Sequence, residues 1–131
     1  MNPDELIQIA RNALTNAHAP YSNYKVGAAL VCEDGAIFEG CNVENASYGL
    51  ANCAERTALF SAVAKGHTSF QAIAIAASTE PAPFPCGACR QVLAEFCGPD
   101  LPIHIAKNGG FETITLGELL PHSFNFEKSD D

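Results

Sequence analysis

The stretch Val26-Gly27-Ala28-Ala29-Leu30-Val31-Cys32 is apolar at every position, and Glu33-Asp34-Gly35 follows it directly. A strand wetted on one face alternates apolar and polar residues; an unbroken apolar run fits a strand covered on both faces. Asp34-Gly35 is a hairpin signal, so the chain is expected to return as an antiparallel strand from Ala36 to about Val43. Upstream, Asn2-Pro3-Asp4-Glu5 starts a helix: Asn2 caps, Pro3 takes the first helical position and Glu5 stands three residues after the cap. Leu6, Ala10, Ala13, Leu14 and Ala17 recur at helical spacing to about His18, and Pro20 ends the helix. Downstream, a helix from about Cys53 to Lys65 stops at Gly66. Phe70 to Ala77 is a third strand. Pro81, Pro83 and Pro85 keep the next stretch irregular. Cys86 opens another helix, with Cys89, Val92, Leu93 and Phe96 on its inner face and Gly98-Pro99 as its stop. Pro102–Ala106 and Phe111–Thr115, joined at Asn108-Gly109-Gly110, are strands four and five, and a short helix covers Leu116–Leu120. Strands separated by helices predict the α/β class: one five-stranded mixed sheet with helices on both faces. Residues 1–131 read as a single domain, with a flexible acidic tail from about 125.

Composition narrows the function. With 131 residues, 47% hydrophobic and 17% charged, the chain suits one packed core and is not disordered. Seven basic against 15 acidic residues give a net charge of −8, which argues against a protein that grips nucleic-acid phosphates. No apolar run approaches the ~20 residues of a membrane span. The first residues lack the basic patch and apolar stretch of a signal peptide. A cytoplasmic setting is therefore expected, where thiols stay reduced. Six cysteines in that setting point to metal binding or catalysis rather than to disulfides.

Two segments concentrate this chemistry, Cys53-Ala54-Glu55-Arg56 and Pro85-Cys86-Gly87-Ala88-Cys89. Each opens a predicted helix. Cys86 and Cys89, three apart, can turn both sulfurs to one side of a first helical turn. The positive end of the helix dipole there favours thiolate, the form that binds zinc. Cys53 can add a third sulfur. Three protein ligands leave one tetrahedral position open, as a catalytic zinc requires. Three thiolates overcompensate one Zn²⁺, and Arg56 can draw charge from the sulfurs of Cys53 and Cys86. Glu55 is the candidate proton shuttle, provided Cys53 sits at the helix end, where side chains converge. A lone C-x-x-C also occurs in structural zinc sites and redox dithiols. None of His18, His67, His104 and His122 stands at ligand spacing to either motif. Cys32, Cys41 and Cys97 read as small buried hydrophobes.

Cys-Ala-Glu followed about thirty residues on by Pro-Cys-x-x-Cys is the three-cysteine form of the zinc-deaminase signature. The chain resembles the small homotetrameric cytidine deaminases through Ala19-Pro20-Tyr21-Ser22, Val26–Leu30, Gly40–Ala46, Cys53–Ala58, Pro85–Gln91 and Glu118–Pro121. The resemblance implies a three-layer α/β/α cytidine deaminase-like fold. It implies hydrolytic deamination of cytidine and 2′-deoxycytidine in pyrimidine salvage, with zinc-bound hydroxide attacking C4 and Glu55 shuttling protons. One Zn²⁺ per subunit would be held by Cys53, Cys86 and Cys89. Asn42 and Glu44 match the residues that bind the ribose 3′-hydroxyl, and the Ala54 backbone matches the contact to pyrimidine O2. Phe124 matches an aromatic that a neighbouring subunit lays over the base; a core-packing role is its alternative, and Phe126 is a second aromatic close by. Tyr24 stands where the family usually has Phe, near the sugar. A small nucleoside as substrate and a homotetramer with shared sites follow, with no nucleic acid or membrane partner. The rival readings are a blasticidin S deaminase-like enzyme and a non-catalytic structural zinc module.

Overall fold

The apolar run is β1 (Val26–Cys32), buried along its whole length inside a five-stranded sheet. The computed structural model describes residues 1–124; the expected flexible tail, 125–131, lies outside the described residues. The other strands are β2 (Ile37–Cys41), β3 (Phe70–Ala77), β4 (Pro102–Lys107) and β5 (Gly110–Thr115), in the order β2-β1-β3-β4-β5. Only β3 and β4 run parallel; every other pair is antiparallel. The sheet is therefore mixed, as expected. The helices are α1 (Pro3–Ala13), α2 (Ala54–Ala64), α3 (Gly87–Phe96) and α4 (Leu116–Leu119).

The continuous apolar strands hide a period of two in size. Ala72, Ala74 and Ala76 of β3 join Ala29 and Val31 under Leu6, Ile7 and Ala10 of α1. Ile73 and Ile75 turn the other way and join Leu30, Ile103 and Ile105 with Ala58 and Leu59 of α2 and Leu93 of α3. Small residues let α1 lie close on one face; large ones fill the space beneath α2 and α3 on the other. This is the three-layer arrangement.

Several boundaries differ from the sequence reading. The first helix stops at Ala13 and tightens into a 3-10 turn at Leu14–Asn16 instead of running to His18. The Thr15 hydroxyl donates to the Asn12 carbonyl (2.8 Å), an interaction that competes with continued helix. The second strand stops at Cys41 rather than Val43 because the Asn42 side chain takes over the pairing. Its Oδ1 accepts from the Val26 amide (2.9 Å) and its Nδ2 donates to the Tyr24 carbonyl (2.9 Å). A 3-10 turn at Tyr48–Leu50 had no sequence signal.

Gly40 of β2 sets the position of α2. A Cβ there would stand 2.5 Å from the Ala58 amide nitrogen, and closer still to the Ala54 carbonyl oxygen. Both are backbone atoms of the helix, so no rotamer relieves the overlap. Gly40→Ala should push the first turns of α2 off the sheet and destabilise the fold by about 3 kcal/mol, the upper range for overpacking. A thermal midpoint within about 2 °C of the native protein's would refute this role.

Candidate metal centre and its surroundings

The three cysteines singled out in the sequence come together between two helix N-termini. Cys53 is the N-cap of α2 and Cys86 the N-cap of α3; both are extended, with ψ of 157° and 169°. Cys89 lies in the first turn of α3, buried, and its amide donates to Cys86 Sγ (3.4 Å). The Cys53 and Cys86 sulfurs are 3.8 Å apart, and those of Cys86 and Cys89 are 3.3 Å apart. All three lie within 4.8 Å of one another. A tetrahedral zinc with bonds of about 2.3 Å to sulfur holds its ligands about 3.8 Å apart. The donor set therefore fits zinc in both chemistry and spacing, with Cys53, Cys86 and Cys89 as the residues that would hold it.

The surrounding chain fixes the sulfurs. Asn52 pairs with Val43 through two backbone bonds of 2.9 Å, joining the end of β2 to the start of α2. Asn52 Nδ2 donates to Thr57 Oγ1 (3.1 Å), which donates to the Cys53 carbonyl (3.2 Å). On the α3 side, Arg90 clamps the approach. Its Nε donates to the Pro85 carbonyl (2.7 Å) and its Nη1 to that of Leu119 (2.9 Å). Asn52, Thr57 and Arg90 had no role in the sequence reading. Their polar side chains beside the motifs were the available signal.

Glu55 is 6% exposed although it is only the second residue of α2. Cys53 is the cap, which is the condition under which the two side chains can converge. Burial raises the Glu55 carboxyl above the usual range, and the neighbouring Cys53 charge adds to the rise. Among the sulfurs, Cys53 is favoured as thiolate by its bonds to Cys89 and Arg56, while Cys89 is held protonated by Cys53 and by burial. Arg56 Nη2 donates to Cys53 Sγ (3.4 Å). The sulfur of Cys53, and after it that of Cys89, holds the Arg56 guanidinium in its charged form. Arg56 Nε is buried and has no partner among the described residues.

Glu44 and Asn42 lie on the chain leaving β2. The Glu44 carboxylate accepts hydrogen bonds from the Ser22 hydroxyl, the Ser22 amide (3.1 Å) and the Tyr21 amide (2.9 Å). These bonds, led by the Ser22 hydroxyl, hold it below the usual carboxyl range. A cleft of about 280 Å³ beside it is lined by Tyr21, Ser22, Glu44, Asn45, Tyr48 and Ala51; the sulfurs and Glu55 do not line it. Tyr24 is half-buried, and its hydroxyl donates to the Thr79 carbonyl (3.3 Å). Ala54 is buried at the start of α2. Phe124 does not pack into the core: it is 66% exposed, and its backbone pairs with the Gln91 side chain at 2.9 and 3.4 Å. Phe126 lies outside the described residues.

Comparison with known proteins agrees with this geometry. The family described as "cytidine and deoxycytidylate deaminase zinc-binding region" matches residues 1–105. A cytidine deaminase of Sporosarcina psychrophila is 48% identical over 128 residues, covering 97% of this chain and 94% of its own. One of Halalkalibacterium halodurans is 48% identical over 132 residues, covering 100% of each. The crystal structure of a cytidine deaminase from Burkholderia pseudomallei superposes with a TM-score of 0.89 at 53% identity, covering 95% of this chain and 100% of that one.

Proposed function

The chain belongs to the cytidine and deoxycytidylate deaminase family, and we propose that its residues carry the hydrolysis of cytidine and 2′-deoxycytidine to uridine and 2′-deoxyuridine, with release of ammonia. The observation that carries this reading is the buried Glu55 carboxyl at the edge of a three-sulfur cluster that fits zinc. Zinc held there supplies Lewis acidity that makes a water molecule a nucleophile near neutral pH.

Glu55 takes a proton from the attacking water and gives it to the pyrimidine N3. It then takes the second proton from the new hydroxyl at C4 and delivers it to the departing 4-amino group, so that the C4 carbonyl forms as ammonia leaves. One carboxyl acts first as base and then as acid, and burial keeps it suited to both. The backbone at Ala54 receives O2 of the base. Asn42 and Glu44 bind the ribose 3′-hydroxyl. Both side chains are already fixed by backbone hydrogen bonds, so little ordering is left to the moment of binding. A substrate without that hydroxyl leaves polar groups unpaired, which disfavours a bare base. Tyr24 borders the sugar.

Arg56 tempers the charge of the thiolates. Arg56→Gln should lower activity roughly tenfold, about 1.4 kcal/mol, and move the pH–rate profile towards higher pH. An unmoved profile would argue against charge compensation.

Phe124 of a neighbouring subunit covers the base, within a homotetramer. Its outward presentation on a small chain supports this. Light scattering during turnover tests it, and an active monomer contradicts shared sites. No helix among the described residues is long and apolar enough to cross a membrane. The overall reading is tested by following the ultraviolet change as cytidine becomes uridine. Activity should vanish with a chelator and return with zinc; a zinc-loaded protein that releases no ammonia from cytidine overturns it.

A further inference from the structure

At the far end of α2 from the three-cysteine cluster stands another set of metal-ligating side chains. Cys32 Sγ, an Asp34 carboxylate oxygen and a His67 ring nitrogen lie within 4.8 Å of one another. We propose that Cys32, Asp34 and His67 form a second zinc site, separate from the catalytic one and independent of the deamination reading.

The geometry suits that ion. His67 Nδ1 and Asp34 Oδ2 are 3.4 Å apart. A tetrahedral zinc with bonds of about 2.0 Å to nitrogen and oxygen sets such a pair about 3.3 Å apart. The sulfur needs to be about 3.6 Å from each, so about 1 Å of side-chain movement at most closes the site.

Each ligand is held by its own piece of chain. Cys32 ends β1, where the pairing with β3 shifts register, and is 1% exposed. Asp34 uses Oδ1 to accept from the Ala36 amide (3.0 Å), which leaves Oδ2 facing His67. His67 follows Gly66, whose φ of +90° reverses the chain at the end of α2, and its amide returns to the Ala62 carbonyl (3.0 Å). The Phe38 ring lies against the imidazole, with centroids 5.1 Å apart, and limits its rotation.

The donor chemistry narrows the metal. One thiolate, one carboxylate and one neutral imidazole cancel the charge of Zn²⁺, so the half-buried site carries no net charge. Sulfur and nitrogen donors favour zinc over magnesium or calcium. Asp34 is exposed, so water can complete the fourth position. Binding releases the Cys32 thiol proton. The bound ion ties the β1–β2 turn to the end of α2, the helix whose other end carries Cys53.

The test is zinc stoichiometry. The native protein is equilibrated with excess zinc chloride, desalted and analysed for metal. Two zinc ions per chain are expected. His67→Ala, at a half-buried position, and Asp34→Asn, at an exposed one, should each hold one and keep deaminase activity within about twofold. Cadmium-113 resonance gives a second readout: two signals in the native protein, with the less sulfur-rich one absent from His67→Ala. A native protein holding one zinc, a single cadmium signal, or variants that keep both ions would each overturn the site.

Discussion

Glu55→Gln should bind catalytic zinc as the native protein does and release ammonia from cytidine roughly 10²–10⁴-fold more slowly. The amide has the shape of the carboxyl and can still hydrogen-bond, so packing at this buried position survives. What it lacks is a site that takes up and returns a proton, and every proton transfer in the scheme passes through that site. Stability should not fall. Burial raises the Glu55 carboxyl, so the unfolded chain ionises it more readily than the folded one. That difference works against folding once the pH rises through the ordinary carboxyl range, about 4.3. The neutral amide removes it. The variant should therefore be inactive, loaded with metal and at least as stable as its parent. Steady-state ammonia release, metal analysis and thermal unfolding read the three properties separately. Turnover within tenfold of native, at unchanged zinc content, would falsify the shuttle assignment.

The sheet was legible because its strands are extreme. Val26–Cys32 is apolar throughout, and Phe70–Ala77 is apolar apart from the exposed Gln71, so both stand out as strands and the expected bounds match the observed ones to the residue. The layering by size was harder, since the alternating Ala and Ile of β3 are equally apolar as a sequence pattern. The end of β2 was misjudged because Asn42 replaces a strand bond with a side-chain bond, which backbone patterning does not register. At the site, the zinc ligands were legible from spacing, because a helix cap and first turn bring neighbouring sulfurs together wherever they occur. Cys32 was read as a plain buried hydrophobe. Its neighbours Asp34 and His67 are 33 positions apart in the chain, and only the turn after β1 and the reversal at Gly66 bring them to one place.

Cys89→Ala should have a different outcome: loss of one equivalent of zinc together with loss of activity. The side chain is 1% exposed, so the substitution removes a single buried sulfur. The cavity cost is about 1 kcal/mol by comparison with small core truncations. That is too little to unfold the chain, and the inactivity cannot be assigned to misfolding. The metal, however, loses one of three protein ligands, and the pair that remains joins the caps of α2 and α3 without the anchor inside α3. Zinc binding also ties those two helices together, so its free energy stabilises the fold. A chelator should therefore lower the thermal midpoint of the native protein much more than that of Cys89→Ala, which has little catalytic zinc to lose. Metal analysis separates this variant from Glu55→Gln: both are inactive, but only the cysteine variant is depleted of an ion. If Cys89→Ala kept its full zinc content and its rate, the three-sulfur cluster would not be the catalytic centre, and the role given to Glu55 would fall with it.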